Sequence, residues 1–331
     1  MRLAGIASRG SADLWLLTAV TVVAFGTFAV FNPVWVNRNL VQTMVSQSAA
    51  LALVAIPLTF SLISRNIDLS VGSLLALQGM VIGRVQESSS LALAVLAAVA
   101  VGAAIGVLHG FLVAKLGLSA IMATLATLIW ARGLTLAIND SRPISVDGWL
   151  VDVANERWAG FTIAAPLVVV GYLVGQWIRR RTKVGLYTAA IGGGPDAARR
   201  SGIAIDRYVI GQFVATGVVV TIAAALTVGQ LGSASPYTGA ELELDAIIAV
   251  VVGGTSLAGG YGSVGRTAVG VTFMSVLNSG LLNLGLTDSY YQTARGLSLI
   301  GVLALQIVTR RLVGPRRVRS DASTLEGEVS E

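Results

Sequence analysis

Between two apolar runs the chain carries Ser64-Arg65-Asn66-Ile67-Asp68-Leu69-Ser70-Val71-Gly72-Ser73, with two charges and several hydrogen-bonding side chains. At a membrane edge such a stretch is tolerable where protein buries it, where it lines an aqueous cavity or where it turns at the surface. Ser70 can cap the following helix, and Gly72 and Ser73 permit close backbone approach. An ordinary capped loop fits the same residues. A second interruption is glycine-rich: Gly253-Gly254-Thr255-Ser256-Leu257-Ala258-Gly259-Gly260-Tyr261-Gly262-Ser263. Each glycine costs a helix about 1 kcal/mol relative to alanine, so the segment reads as a discontinuous helix or re-entrant turn. Elements of that kind line transporter paths. The spacing of Thr255, Leu257 and Gly260 faintly echoes that of Ile67, Leu69 and Gly72.

Catalytic groups are scarce. His109, Arg132 and Arg295 lie in or near apolar runs, and His109 is the only histidine. Ionisable groups there read as functional by default, yet a lone histidine reads more simply as a packed, satisfied side chain, and Arg132 as half of a structural ion pair. The apolar runs hold no Ser–His set and no aspartate pair, so intramembrane hydrolysis lacks its groups. No metal cluster is evident, there is no cysteine, and the absence of a GxxxxGK[ST] loop implies that the chain does not itself hydrolyse ATP.

A third segment runs Gly185-Leu-Tyr-Thr-Ala-Ala-Ile-Gly-Gly-Gly-Pro-Asp-Ala-Ala-Arg-Arg-Ser-Gly-Ile203. Pro195 suits the first position of a helix, Asp196 its positive end, and Arg199 with Arg200 its last turn. Gly202 can close it in a left-handed cap. The expectation is a short surface helix exposing Ala197 and Ala198, suited to docking into a partner's groove. A plain connecting helix is the simpler alternative.

The elements that must position these segments follow from composition. The 331 residues are 54% hydrophobic and 12% charged, with mean hydropathy +0.77. Soluble domains carry about 25% charged residues, so the outer surface of this chain must face lipid. The 38 glycines exceed the usual share of about 7% and suit close helix packing. Spanning helices need roughly 20 apolar residues. Candidate runs are Leu14–Val34, Val41–Ser64, Ser70–Val85, Leu91–Lys115, Ser119–Ile138, Phe161–Ile178, Tyr208–Gln230, Leu244–Leu257, Gly265–Leu286 and Thr293–Val308. The first resembles a signal peptide but is long for one and lacks a small-residue cleavage site, so it is read as a retained helix.

Arginine and lysine set the orientation. With the N-terminus inside, the inside loops hold Arg179 to Lys183, Arg199, Arg200, Arg207, Arg310, Arg311, Arg316, Arg317 and Arg319. The outside loops hold Asp140, Asp147, Asp152 and Glu156 against Arg142 and Arg157, and then Glu241 and Glu243. The same clustering between apolar runs argues that the net charge of +6 does not serve nucleic acid. The expected fold is all-α: a polytopic membrane protein of about ten transmembrane helices, with broken or re-entrant segments and both termini cytoplasmic. Residues 1–312 form one transmembrane domain with an inside loop at 179–207. Asn139–Gly160 is an outside loop with interfacial Trp149 and Trp158, and 313–331 is a disordered cytoplasmic tail.

Four strings occur in the order seen in carbohydrate ABC-importer permeases of the ribose/xylose/arabinose/rhamnose/autoinducer-2 type. They are Asn66-Ile-Asp-Leu-Ser-Val-Gly-Ser73, Ile121-Met-Ala-Thr-Leu-Ala-Thr-Leu-Ile-Trp-Ala-Arg-Gly133, Ala190–Ile203 and Leu244–Ser263. The resemblance covers about Asn39 to Val308, and the first string is highly specific. One departure is Gly194, where the family often has asparagine. The resemblance implies a transmembrane permease subunit, itself no enzyme, in the bacterial plasma (inner) membrane. It would pair with a second permease copy or a sister permease, with cytoplasmic ABC ATPase subunits holding ATP and Mg, and with a periplasmic or lipid-anchored solute-binding protein. It needs no cofactor of its own. The ATPase-coupling residues would be Gly185, Ala190, Gly192, Pro195, Ala197, Ala198, Arg199, Ser201 and Gly202. The solute is a sugar or sugar-like molecule carried by alternating access, and a neutral polyol needs weakly held hydrogen-bonding groups. Path candidates are Asp68, Ser70, Gly72, Ser73, Thr255 and Ser256, joined by position by Asn278, Asn283, Tyr290 and Gln292. The rival is an ion-coupled secondary transporter of a small polar solute, which would want membrane-embedded carboxylates. The apolar runs contain almost none, and Asp68 and Asp245 fall at their edges.

Overall fold

The computed structural model describes residues 2–32, 36–37, 39–158, 160–285 and 287–313. Every apolar run becomes a helix. In chain order the helices are α1 (Arg2–Phe31), α2 (Leu40–Ile63), α3 (Val71–Gln86), α4 (Leu91–Ala114), α5 (Ala120–Ile138), α6 (Trp149–Asn155), α7 (Ala164–Arg181), α8 (Lys183–Gly193), α9 (Pro195–Arg200), α10 (Ile205–Leu231), α11 (Leu242–Val252), α12 (Val264–Asn283) and α13 (Asp288–Val313). Five of them, α1 from Leu14, α2, α4, α5 and α10, are long and apolar enough to cross a membrane. The chain is an all-α, multi-pass membrane protein. Of the expected tail, 313–331, Val313 ends α13 and residues 314–331 lie outside the described residues.

α2 is the central helix, with 72% of its span buried against 28% for α4 and α5. Its core partners include Leu74 of α3, Val220 and Ala224 of α10, Ala249 of α11 and Met274 of α12. The outer faces stay apolar: Leu96, Met122, Ile129 and Leu173 are all exposed. A water-facing surface would not hold so many large apolar side chains together.

Small residues bring α4 and α10 together. Gly102, Gly106 and Gly110 recur every four residues along α4, so they share one face. A Cβ on Gly106 would lie 2.6 Å from the Phe213 carbonyl oxygen, and one on Gly110 would lie 2.5 Å from Ile210 Cα. Such backbone contact is how membrane helices gain van der Waals attraction without a hydrophobic drive between them.

The segment expected as a loop, Asn139–Gly160, is more ordered than that. Strand β1 (Ile144–Ser145) and helix α6 lie within it, followed by β2 (Arg157–Trp158) and β3 (Phe161–Thr162), which form a small hairpin. Strand β4 (Ser233–Ala234), after α10, pairs antiparallel with β1. Asn155 Nδ2 donates to the Gly229 carbonyl at 2.9 Å, holding α6 against α10. Side-chain closure of this kind leaves no periodic signal, so hydropathy alone misses it. The pairing places the C-terminal ends of α5 and α10 together. Gly83, near the end of α3, packs on Ile144 and Ala234 at the same end.

Candidate functional site

The three interruptions converge on the end of α2. The Gly260 amide donates to the Ile63 carbonyl at 2.8 Å, which joins the break after α11 to the break after α2. Gly192, near the end of α8, is buried against the same pair. A Cβ there would overlap the Ile63 carbonyl oxygen and lie 2.5 Å from the Gly260 nitrogen. Gly262 packs on the Ile63 side chain, and Gly259 on Arg65. The glycines of the second break therefore serve close approach, with Gly259 and Gly260 at φ +79° and +78°, where a side chain would be strained.

The first break is built around Asp68. Its Oδ1 accepts from the Ser70 amide at 2.9 Å and the Ser70 hydroxyl at 2.6 Å. Ser70 occupies the N-cap position of α3 but makes no side-chain cap, contrary to the expected role, because its hydroxyl is committed to Asp68. Ser73 donates to the Ser70 carbonyl at 2.8 Å. Thr124 of α5 receives the Leu69 amide at 3.1 Å. All four polar side chains are fully or nearly fully buried. His109 is also buried; it bonds Thr127 at 2.7 Å, meets the Phe213 ring edge-on and feels the Asp68 charge. It is the packed, satisfied residue expected.

A second polar cluster forms around the start of α11. Arg132 donates to the carbonyls of Pro236 (2.9 Å), Thr238 (3.1 Å) and Gly239 (3.4 Å). The expected ion pair is replaced by a clamp on backbone carbonyls, whose fixed fork of donors matches the turn before α11. Glu243 is buried beside Gly72 and Gly239 and interacts electrostatically with Arg132. Arg295 of α13 pairs with Asp245 of α11 and, at 3.1 Å, with Glu241, while Asn278 Nδ2 lies 3.5 Å from Asp245 Oδ2. Asp68 and Asp245 sit at the edges of apolar runs in sequence, yet both side chains are within the protein.

Not all path candidates come together. Asn278 joins the α11 cluster, while Asn283, Tyr290 and Gln292 are exposed. Asn283 Nδ2 donates within its own helix to Ser279. Thr255 and Ser256 belong to the convergence at Ile63, where the Ser256 amide donates to the Tyr261 carbonyl. Among the buried side-chain atoms without a hydrogen-bond partner in the described residues are Glu243 Oε2, Thr255 Oγ1 and Asn278 Oδ1. Buried polar atoms are nearly always paired, so these oxygens keep acceptor capacity that the described residues do not use. The burial of Glu243 leaves no signal along the chain, because an acid opening a helix looks like an ordinary dipole partner.

The loop helices take the expected local form with one correction. α9 starts at Pro195, and Gly202 closes it at φ +81°. Gly194 has φ 176°, extended backbone that any residue adopts, so the departure from asparagine there carries no conformational demand. Ala197 is exposed, but Ala198 is buried: one-residue steps on a helix rotate by about 100°, so neighbours cannot share a face. Gly185 is buried on the Arg179 carbonyl, Ala190 is half-buried, and Arg199 and Ser201 are exposed. Asp206 ties α9 to α4 through Arg199 (3.7 Å) and Lys115 (2.8 Å).

Comparison with known proteins gives this arrangement its relatives. The family profile described as "Branched-chain amino acid transport system / permease component" matches residues 40–303. The ribose import permease protein of Escherichia coli (strain K12) is 35% identical over 289 residues, covering 84% of this chain and 89% of that protein. Its Bacillus subtilis (strain 168) counterpart is 32% identical, covering 82% and 86%. The D-allose transport system permease protein of Escherichia coli (strain K12) is 32% identical, covering 88% and 90%. No solved structure matches the chain. A helical membrane protein whose breaks meet at one point, matched along most of its length to import permeases, belongs to this transport-system permease family.

Proposed function

We propose that the chain is the membrane-spanning permease subunit of an ATP-binding-cassette importer for a sugar or sugar-like solute. In this reading α1–α5, α7 and α10–α13 supply ten crossings, both termini are cytoplasmic, and 1–312 is one permease domain followed by a cytoplasmic tail. The membrane is the bacterial inner membrane. ATP and Mg belong to the partner ATPases, a solute-binding protein delivers the cargo, and a second permease completes the channel.

The seat of Gly192 against the Ile63 carbonyl and the Gly260 amide carries the proposal. α8 and α9, on the arginine-rich side, reach both broken helices through that one contact. A displacement of α8 by a partner ATPase must therefore move the end of α2 and the turn before α12 together, because packed backbone at this separation cannot be compressed. Those breaks lead to α3 and α11, where Asp68, Ser70, Gly72, Ser73, Thr255, Ser256 and Asn278 border the path and unpaired Thr255 and Asn278 oxygens suit a polyol hydroxyl. Alternating access needs this kind of two-state element. The ion-coupled alternative loses support from the ion pair of Asp245 with Arg295 and from the commitment of Asp68 to Ser70. Reconstitution with the cognate ATPase and binding protein tests the proposal. Uptake is expected to require ATP; uptake that ignores ATP and follows a proton or sodium gradient would overturn it.

A further inference from the structure

α7 and α10 both lean on α2, and between them runs a groove of ≈ 710 Å³. Ile56 and Phe60 of α2 form its floor, Val170 and Val174 of α7 one wall, and Gly211 and Ala215 of α10 the other. The neutral polar groups on its lining are already engaged. Thr182 donates to Ile178, Tyr208 pairs with Thr188, Gln212 bonds Ser61 and Ser64, and Thr216 donates to Gln212. A polyol would find no free partner along these walls. Arg207 is the exception: it is exposed at one end of the groove, and its side chain makes no ion pair or hydrogen bond among the described residues. The neighbouring acid, Asp206, is occupied by Lys115 and Arg199.

A hydrocarbon trough with one free cation at its mouth selects an amphiphile with an anionic head. The dimensions agree. From Arg207 to Ile222, the far lining residue of α10, a helix rises about 22 Å at 1.5 Å per residue. Half of a hydrocarbon core is about 15 Å, so the groove accommodates a chain from one leaflet. Arg207 lies on the side of Arg179, Arg180 and Arg181 at the end of α7, the side that positive charge marks as cytoplasmic. We propose that this groove binds an acyl chain of an anionic phospholipid of the cytoplasmic leaflet, with the phosphate against Arg207. The inference rests on the membrane reading of the chain and not on its cargo or its ATPase.

Lipid binding to the purified, delipidated permease in a neutral detergent tests it. Phosphatidylglycerol and phosphatidylcholine with identical chains serve as probes, read by native mass spectrometry and by the shift in melting temperature. Phosphatidylglycerol is expected to bind several-fold more tightly, because the choline ammonium of phosphatidylcholine offsets the charge that its phosphate presents to Arg207, and to raise the melting temperature more. Arg207→Ala should abolish the preference while leaving some binding of both lipids. Gly211→Phe should remove both, since a Cβ at Gly211 meets nothing within 4 Å and the ring can enter the trough without displacing the backbone. The proposal is overturned if the wild type shows no headgroup preference, or if the preference survives Arg207→Ala. Loss of a permease dimer in Gly211→Phe without change in bound lipid would assign the groove to a second copy instead. Should Gly211→Phe fail to fold, the exposed Arg207→Ala variant still decides the outcome.

Discussion

Gly192→Ala is the sharpest probe of how the cytoplasmic helices act on the breaks. The added methyl would overlap the Ile63 carbonyl oxygen and stand 2.5 Å from the Gly260 nitrogen. Ordinary heavy-atom contact is near ~3.5 Å, so clearing the Ile63 carbonyl oxygen requires α8 to retreat by more than about 1 Å, or the two breaks must part. Overpacking of that size costs about 1–3 kcal/mol, and losing the 2.8 Å bond from Gly260 to Ile63 adds about 1 kcal/mol. Because the same contact is the proposed link to the ATPases, the penalty should fall on coupling as well as stability. The assay is uptake per ATP hydrolysed by the reconstituted importer, with the binding protein present and absent. A loss of about tenfold in uptake per ATP is expected, the equivalent of ~1.4 kcal/mol, with the permease still assembled. Gly193→Ala is the control: its Cβ meets nothing within 4 Å, and coupling should be unchanged. If the two variants behave alike, with normal uptake per ATP, the contact does not transmit motion and the reasoning fails.

Other consequences follow from the same geometry. Arg295→Ala leaves the half-buried Asp245 without its cation and should destabilise by about 1–3 kcal/mol, seen as a lower melting temperature in detergent; the double replacement Asp245→Asn with Arg295→Gln should recover most of it. Gly106→Leu forces a side chain between α4 and α10 backbones and should abolish the folded, monodisperse species on size-exclusion chromatography, whereas Gly133→Ala, with open space around it, should elute as the wild type. Arg132→Lys keeps the charge but not the fork that holds three carbonyls; losing charge-assisted bonds worth about 1.5–3 kcal/mol should lower the melting temperature and leave the region around Pro236 more open to protease. Asp206→Asn removes a largely solvated pair and should leave the melting temperature close to that of the wild type, so a pronounced drop would show that the Lys115 contact is more than a surface pair.

The breaks themselves were legible in the chain. Glycines at 253–262 and the polar run at 64–73 are costly in a regular helix, and the structure interrupts the helices there. So were the helix opened by Pro195 and its closure at Gly202, which depend on backbone chemistry within a few residues. The sidedness of Ala198 was misjudged for a different reason: solvent exposure on a short helix depends on what it packs against, not on its own sequence. The exposure of Asn283, Tyr290 and Gln292, against the partly enclosed Asn278, is likewise set by packing. Being near one another along the chain placed them at an outer connection, and there they are exposed while Asn278 reaches Asp245.

What the sequence by itself determined is the solvent of this protein and the places where its helices must stop. Charge density, run length and backbone cost are local quantities, and lipid imposes them at every position. What only the tertiary structure decided is which apolar face is the core. Leu93 and Leu96 of α4 are exposed while Ala94 and Ala98 are buried, and lipid is as apolar as a protein interior, so hydropathy cannot separate the two. For the same reason the meeting of Gly192, Ile63 and Gly260, the pairing of Asp245 with Arg295, and the groove ending at Arg207 have no signature along the chain. Each is made by residues far apart in sequence that three-dimensional packing brings within contact.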